Sequence, residues 1–125
     1  MYLVDTCGWI EWLTGGKLSK TFEKYLKNTS ELVVPSIIQY ELYKWVCRER
    51  DEQTALNIIA VTEQCKVVSI DSHVALTAAD ITAQYKLAMA DSLIYACANI
   101  NNVELITCDS HFEKLPNVQF YSKIK

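Results

Sequence analysis

Short apolar runs alternate with longer two-faced stretches along this chain, and no other feature restricts its fold so strongly. Tyr2–Val4 reads as a brief strand ending at Asp5. A helix over 8–13 follows and breaks at Gly15-Gly16. Residues 17–28 predict a second helix, with Leu18, Phe22, Tyr25 and Leu26 on one side and Lys17, Lys20, Lys24 and Lys27 on the other. A strand over 32–34 stops at Pro35. Ser36 is placed to cap a long helix reaching about Arg50, and a further helix runs through Glu63. Residues 66–70 predict a buried strand, Asp71 or Ser72 caps a helix to about Tyr85, and Asp91 opens another through about Asn99. Strands over 104–107 and 118–121 complete the pattern. Strands this short, separated by helices, predict an α/β domain built on a mainly parallel sheet of four to five strands.

Nothing in the sequence divides this pattern. It contains no internal repeat, low-complexity tract or linker, and 125 residues suit one domain spanning 1–125. Half the residues are hydrophobic and 22% are charged, enough apolar material for a core and too much for a disordered chain. The apolar runs fall far short of the ~20 residues that cross a bilayer. The opening Met-Tyr-Leu-Val-Asp has no basic segment leading into a hydrophobic one, so a cytoplasmic protein without membrane contact is expected. Cysteines at 7, 47, 65, 97 and 108 form no C-x-x-C pair, which predicts free, mostly buried thiols in a reducing compartment. Twelve Lys+Arg against 15 Asp+Glu give a formal charge of −3, which taken alone argues against a nucleic-acid partner.

Four carboxylates need an explanation. Asp5 and Asp109 each follow a strand, and in open α/β sheets ligands bind in the crevice beyond the carboxyl ends of strands. An Asp after a strand also caps helices and shapes turns, and either role suits each residue taken singly. Glu41 falls beside Ile38, Leu42 and Trp45 at about 100° per residue, on the face that should pack inward. A carboxylate there is costly unless it is paired, metal-bound or able to reach water, and Lys44 and Arg48 are available as partners. Asp91 begins an apolar helix, where an N-cap is the simplest role. Asp80 belongs to a solvated or half-buried helix face. Taken together, carboxylates without partner cations repel one another, and a hard divalent ion, Mg²⁺ or Mn²⁺, removes that conflict. Such clusters hydrolyse phosphodiesters, because one ion lowers the pKa of a bound water and a second can stabilise the leaving oxygen. Neither His73 nor His111 has a cluster of catalytic partners in the sequence, and no nucleophile-elbow or phosphate-loop motif is present.

The segments Tyr2-Leu-Val-Asp-Thr-Cys-Gly-Trp-Ile-Glu-Trp-Leu13, Pro35-Ser-Ile-Ile-Gln-Tyr-Glu-Leu42, Met89-Ala-Asp-Ser-Leu-Ile-Tyr-Ala-Cys-Ala98 and Leu105-Ile-Thr-Cys-Asp-Ser-His-Phe112 resemble, in this order, PIN-domain ribonucleases, and most closely the VapC toxins of type II toxin–antitoxin pairs. The resemblance runs from Tyr2 to about Tyr121. It implies a PIN-like parallel sheet with helices on both faces and an acidic Mg²⁺ or Mn²⁺ site that cleaves RNA within the chain, leaving a 5′-phosphate and a 3′-hydroxyl. It also implies inhibition by a VapB-type antitoxin and a homodimer. The family's four acids fall on Asp5, Glu41, Asp91 and Asp109, as metal-binding and catalytic residues, with Asp5 and Asp91 on the principal ion. Thr107 matches a supporting hydroxyl, and Thr6 follows the first acid as the pattern expects. Cys7 departs from it, standing where many relatives have Asn or Ser.

An RNA substrate also needs phosphate-binding charge. Lys17, Lys20, Lys24 and Lys27, with Lys44, Arg48 and Arg50, are the candidates, and a solvated helix face is the alternative for the lysine stripe. Trp9, Trp12 and Trp45 could stack bases or meet an antitoxin, although core packing suits them too. Two other readings compete. A PIN nuclease that processes RNA without an antitoxin would lack a small upstream antitoxin gene. A phosphorelay receiver domain has this length and could use Asp71, but it wants adjacent acids after the first strand, and Asp5 is followed by Thr6-Cys7. Setting aside the four site acids leaves 11 acids against 12 bases, so the bulk of the molecule carries no acidic excess to repel RNA.

Overall fold

The computed structural model describes residues 1–123. Five strands, β1 (Tyr2–Val4), β2 (Val33–Pro35), β3 (Lys66–Val68), β4 (Glu104–Thr107) and β5 (Val118–Phe120), alternate with six helices. The helices are α1 (Thr6–Thr14), α2 (Ser19–Leu26), α3 (Ser36–Glu49), α4 (Glu52–Thr62), α5 (Ser72–Tyr85) and α6 (Met89–Ile100). β1, β4 and β5 form a three-stranded sheet and β2 pairs with β3, every register being parallel. A parallel bridge between Tyr2 and Leu32 joins the two parts, giving the order β3-β2-β1-β4-β5. Connections run outward from β1 in one direction to β3 and then in the other to β5. The switch point therefore lies at the carboxyl ends of β1 and β4, where α/β sheets bind ligands.

Successive strand residues face opposite sides of a sheet. Leu3 and Val4 in β1, and Leu105 and Ile106 in β4, are all buried, so helices cover both faces. α2 turns Phe22 and Leu26 into the core and leaves Lys20 and Lys24 exposed, as its two-faced pattern predicts. The close fit of α1 depends on Gly8, where a Cβ would come within 2.6 Å of the Phe22 ring and 2.7 Å of Val4. Gly15 ends α1 in the left-handed region, with φ of 66°, and its N–H bonds back to the helix carbonyls.

The expected elements are present, with differences at their ends. Ser36 does not cap α3. Pro35, the last residue of β2, occupies that position with extended backbone, and the first turn receives no side-chain hydrogen bond. Proline's fixed φ lets the strand run directly into the helix. β3 is half-exposed rather than buried, because it lies at the sheet edge and has β2 as its one strand neighbour. Asp71 caps α5 by accepting from the Val74 N–H. Among the described residues, no helix is long and apolar enough to cross a membrane.

Candidate active site

Parallel pairing of β1 with β4 sets Val4 opposite Ile106, so Asp5 and Asp109 emerge at the same carboxyl end of the sheet. Asp5 is almost fully buried, and its backbone N–H bonds to the Ile106 carbonyl at 2.9 Å. Its Oδ1 accepts the Thr6 N–H at 2.8 Å and its Oδ2 accepts the Thr107 hydroxyl at 2.8 Å. Thr107 Oγ1 in turn accepts the Asp109 N–H at 2.9 Å. One threonine thus fixes both the first acid and the backbone of the last. Its single proton is committed to Asp5, and Cys7 Sγ lies 3.4 Å from the same hydroxyl oxygen. The Cys7 thiol donates to Asp5 Oδ2 at 3.6 Å, and its sulfur accepts the Cys108 N–H at 3.2 Å.

Glu41 reaches the same place from α3. Instead of pairing with Lys44 or Arg48, it accepts the Thr6 hydroxyl through Oε1 at 2.6 Å, while Arg48 pairs with Glu49. Asp91 is not the N-cap of α6. Ala88 holds that position without a side-chain bond, and Asp91 sits in the first turn, where the helix dipole favours a carboxylate. Asp5, Glu41, Asp91 and Asp109 line one cleft of about 250 Å³ together with Thr6, Cys7, Ile10, Lys44, Trp45 and Arg48.

The electrostatics follow from crowding and burial. Loss of water holds the Asp5 carboxyl well above the usual carboxylate range, with Cys7 and Asp91 adding to the rise and the Thr107 and Thr6 hydrogen bonds partly offsetting it. Asp91 is raised by burial and then by the Asp109 charge, against a lowering contribution from His111. Contact with Cys108 and burial push the Cys7 thiol up, while the same contact lowers Cys108. Carboxylates held together in this way gain from a divalent cation, and the oxygen donors suit a hard one.

A model of the PIN domain matches residues 2–118. The chain belongs to the PIN domain family. PIN domains are generally nucleases, and the receiver-domain reading falls away. Asp71 is an exposed helix cap and does not line the cleft.

Three solved structures place this PIN domain among close folds. A toxin–antitoxin complex from Klebsiella pneumoniae superposes with a TM-score of 0.84 at 22% identity, covering 98% of this chain and 99% of that one. A DNA-bound VapBC from Salmonella typhimurium gives 0.77 at 20%, covering 97% and 96%. VapC20 of Mycobacterium tuberculosis, described as a sarcin-ricin loop cleaving toxin, gives 0.76 at 13%, covering 93% and 95%. None of the curated proteins matches the chain in sequence.

The cleft gathers the four predicted acids together with Thr6, Lys44 and Arg48, and Thr107 supports it from β4. It does not gather the lysine stripe. Lys17, Lys20, Lys24 and Lys27 are exposed at α2 and just beyond its ends, with Lys24 Nζ over the Tyr25 and Tyr121 rings. Arg50 lines a separate groove with Leu13 and Ile58. Of the tryptophans, Trp9 is core, Trp12 packs on it edge to face, and Trp45 lines the cleft. The sequence reading missed His111. A 3₁₀ turn over 110–112 folds its imidazole back, so that Nδ1 lies 3.1 Å from Asp109 and 3.4 Å from Asp91. Its place two residues after Asp109 was the available signal.

Proposed function

We propose that this PIN domain is a metal-dependent endoribonuclease acting as the toxin of a VapBC-type toxin–antitoxin pair in the cytoplasm. The observation that carries the reading is the convergence of Asp5, Glu41, Asp91 and Asp109 on one cleft from four separate parts of the chain. The donor set fits Mg²⁺ or Mn²⁺: it is rich in carboxylate oxygen, crowded, and partly stripped of water. When bound, such an ion activates water for attack on a phosphodiester and stabilises the leaving oxygen. Asp5 and Asp91 would be its principal ligands, with Asp109 and Glu41 completing the set directly or through water.

The chain's own residues position these groups. Thr6 holds Asp5 through its N–H and Glu41 through its hydroxyl, and Thr107 ties Asp5 to the backbone of Asp109. Lys44 and Arg48, at the cleft wall, bind RNA phosphates flanking the scissile bond, and Trp45 offers a face on which a base can stack. The α2 lysines contact RNA outside the cleft. An antitoxin partner is supported by similarity in fold to the solved toxin–antitoxin complexes, and a homodimer is proposed from the family resemblance alone. Asp5→Asn removes the carboxylate that would hold the ion and keeps the side chain's shape. It is expected to abolish RNA cleavage while leaving the circular dichroism spectrum unchanged. Full cleavage by that variant, freed of contaminating nuclease, would overturn the assignment.

A further inference from the structure

Beside the four-acid cleft, one imidazole nitrogen lies against two of its carboxylates. His111 is 71% exposed, yet its Nδ1 is turned toward two carboxylates. Its backbone N–H donates to Asp109 Oδ1 at 2.9 Å, which closes the turn and sets the imidazole Nδ1 3.1 Å from the same oxygen. Asp91 Oδ2 stands 3.4 Å away on the other side. One ligand atom from each of Asp91, Asp109 and His111 lies within 4.8 Å of the other two.

These separations match a coordination sphere. Ligands about 2.1 Å from a small divalent ion and at right angles to each other lie about 3 Å apart. We infer that His111 supplies Nδ1 as a ligand to the ion held by Asp91 and Asp109, and that this nitrogen biases the site toward a first-row transition ion over Mg²⁺. The inference rests on the metal-dependent reading above and adds a ligand and a selectivity to it. Mg²⁺ keeps oxygen ligands and gives up water reluctantly, whereas imidazole suits the transition ions. A site of carboxylates alone would not discriminate on that ground.

Mn²⁺ is the probe, because its electron spin reports directly bound nitrogen. The wild-type chain and His111→Gln are loaded with Mn²⁺ and examined by pulsed EPR, and calorimetry measures the affinity of each for Mn²⁺ and Mg²⁺. The wild type is expected to show nitrogen-14 coupling that His111→Gln lacks. His73, the other histidine, is exposed near the start of α5 and belongs to no such ligand group among the described residues, so it leaves no such signal. The substitution should weaken Mn²⁺ by about tenfold or more and Mg²⁺ by less than about threefold. Because His111 is exposed, the variant is expected to fold, which circular dichroism checks. A Mn²⁺ spectrum without nitrogen coupling, coupling that survives in His111→Gln, or equal weakening of the two ions overturns the inference and leaves the four-acid site standing. If Mn²⁺ binds the wild type no better than it binds Asp5→Asn, the metal-dependent reading falls as well.

Discussion

At Asp5, solvation and hydrogen bonding pull in opposite directions. Thr6 and Thr107 donate to the ionised carboxylate, while burial favours the protonated acid, and burial prevails. The sign of the linkage follows. A carboxyl whose folded pKa is raised contributes stability that is present below its unfolded value near 3.9 and is lost as pH rises through the folded value. In chelator, the wild type should therefore lose stability relative to Asp5→Asn as pH climbs from about 4 to 8. Urea unfolding of both chains at each pH reads that difference, and a constant gap would refute it. The acids were legible in the sequence because a carboxylate at a strand end or on an apolar helix face has few low-cost roles. His111 was not, because its pairing with Asp91 depends on a tight turn and on the packing of a distant helix, neither of which has a periodic signature.

At the scale of elements, the positions of strands and helices could be read from periodicity, and their ends less well. Lys17 and Leu18 carry the pattern of α2 but precede it, since the helix starts only at Ser19. Ser69 and Ile70, expected to end the third strand, lie beyond β3 because no strand neighbour pairs with them. The crossing of α1 over β1 and α2 turns on Gly8. Alanine there gains up to about 1 kcal/mol in helix propensity. Its Cβ would also meet two fully buried side chains, Phe22 and Val4, and such overpacking costs about 1–3 kcal/mol. Gly8→Ala is expected to lower unfolding stability by about 1–2 kcal/mol in urea. Phe22→Leu, added in the Gly8→Ala background, should then cost less than it does alone. A stabilised Gly8→Ala would show that the helices are not in this contact.

The whole molecule links the site to the fold, since an ion bound only by the assembled cleft stabilises the folded state. At a free concentration of ten times Kd the gain is about 1.4 kcal/mol, or several degrees in Tm for a domain of this size. Adding Mn²⁺ to chelator-treated protein should raise the wild-type melting temperature and leave that of Asp5→Asn nearly unchanged, as read by differential scanning fluorimetry. An equal rise in both would place the ion elsewhere. The joining of Asp5 to Asp109 through Thr107 also bears on how the site comes into being. β1 is made about a hundred residues before β4. At roughly 5–20 residues per second, several seconds to some twenty separate them. Throughout that interval Asp5 has neither the Thr107 hydroxyl nor the β4 register that fixes it. A chain that stops short of residue 109 therefore cannot assemble the four-acid cleft, whatever its first hundred residues have already folded into.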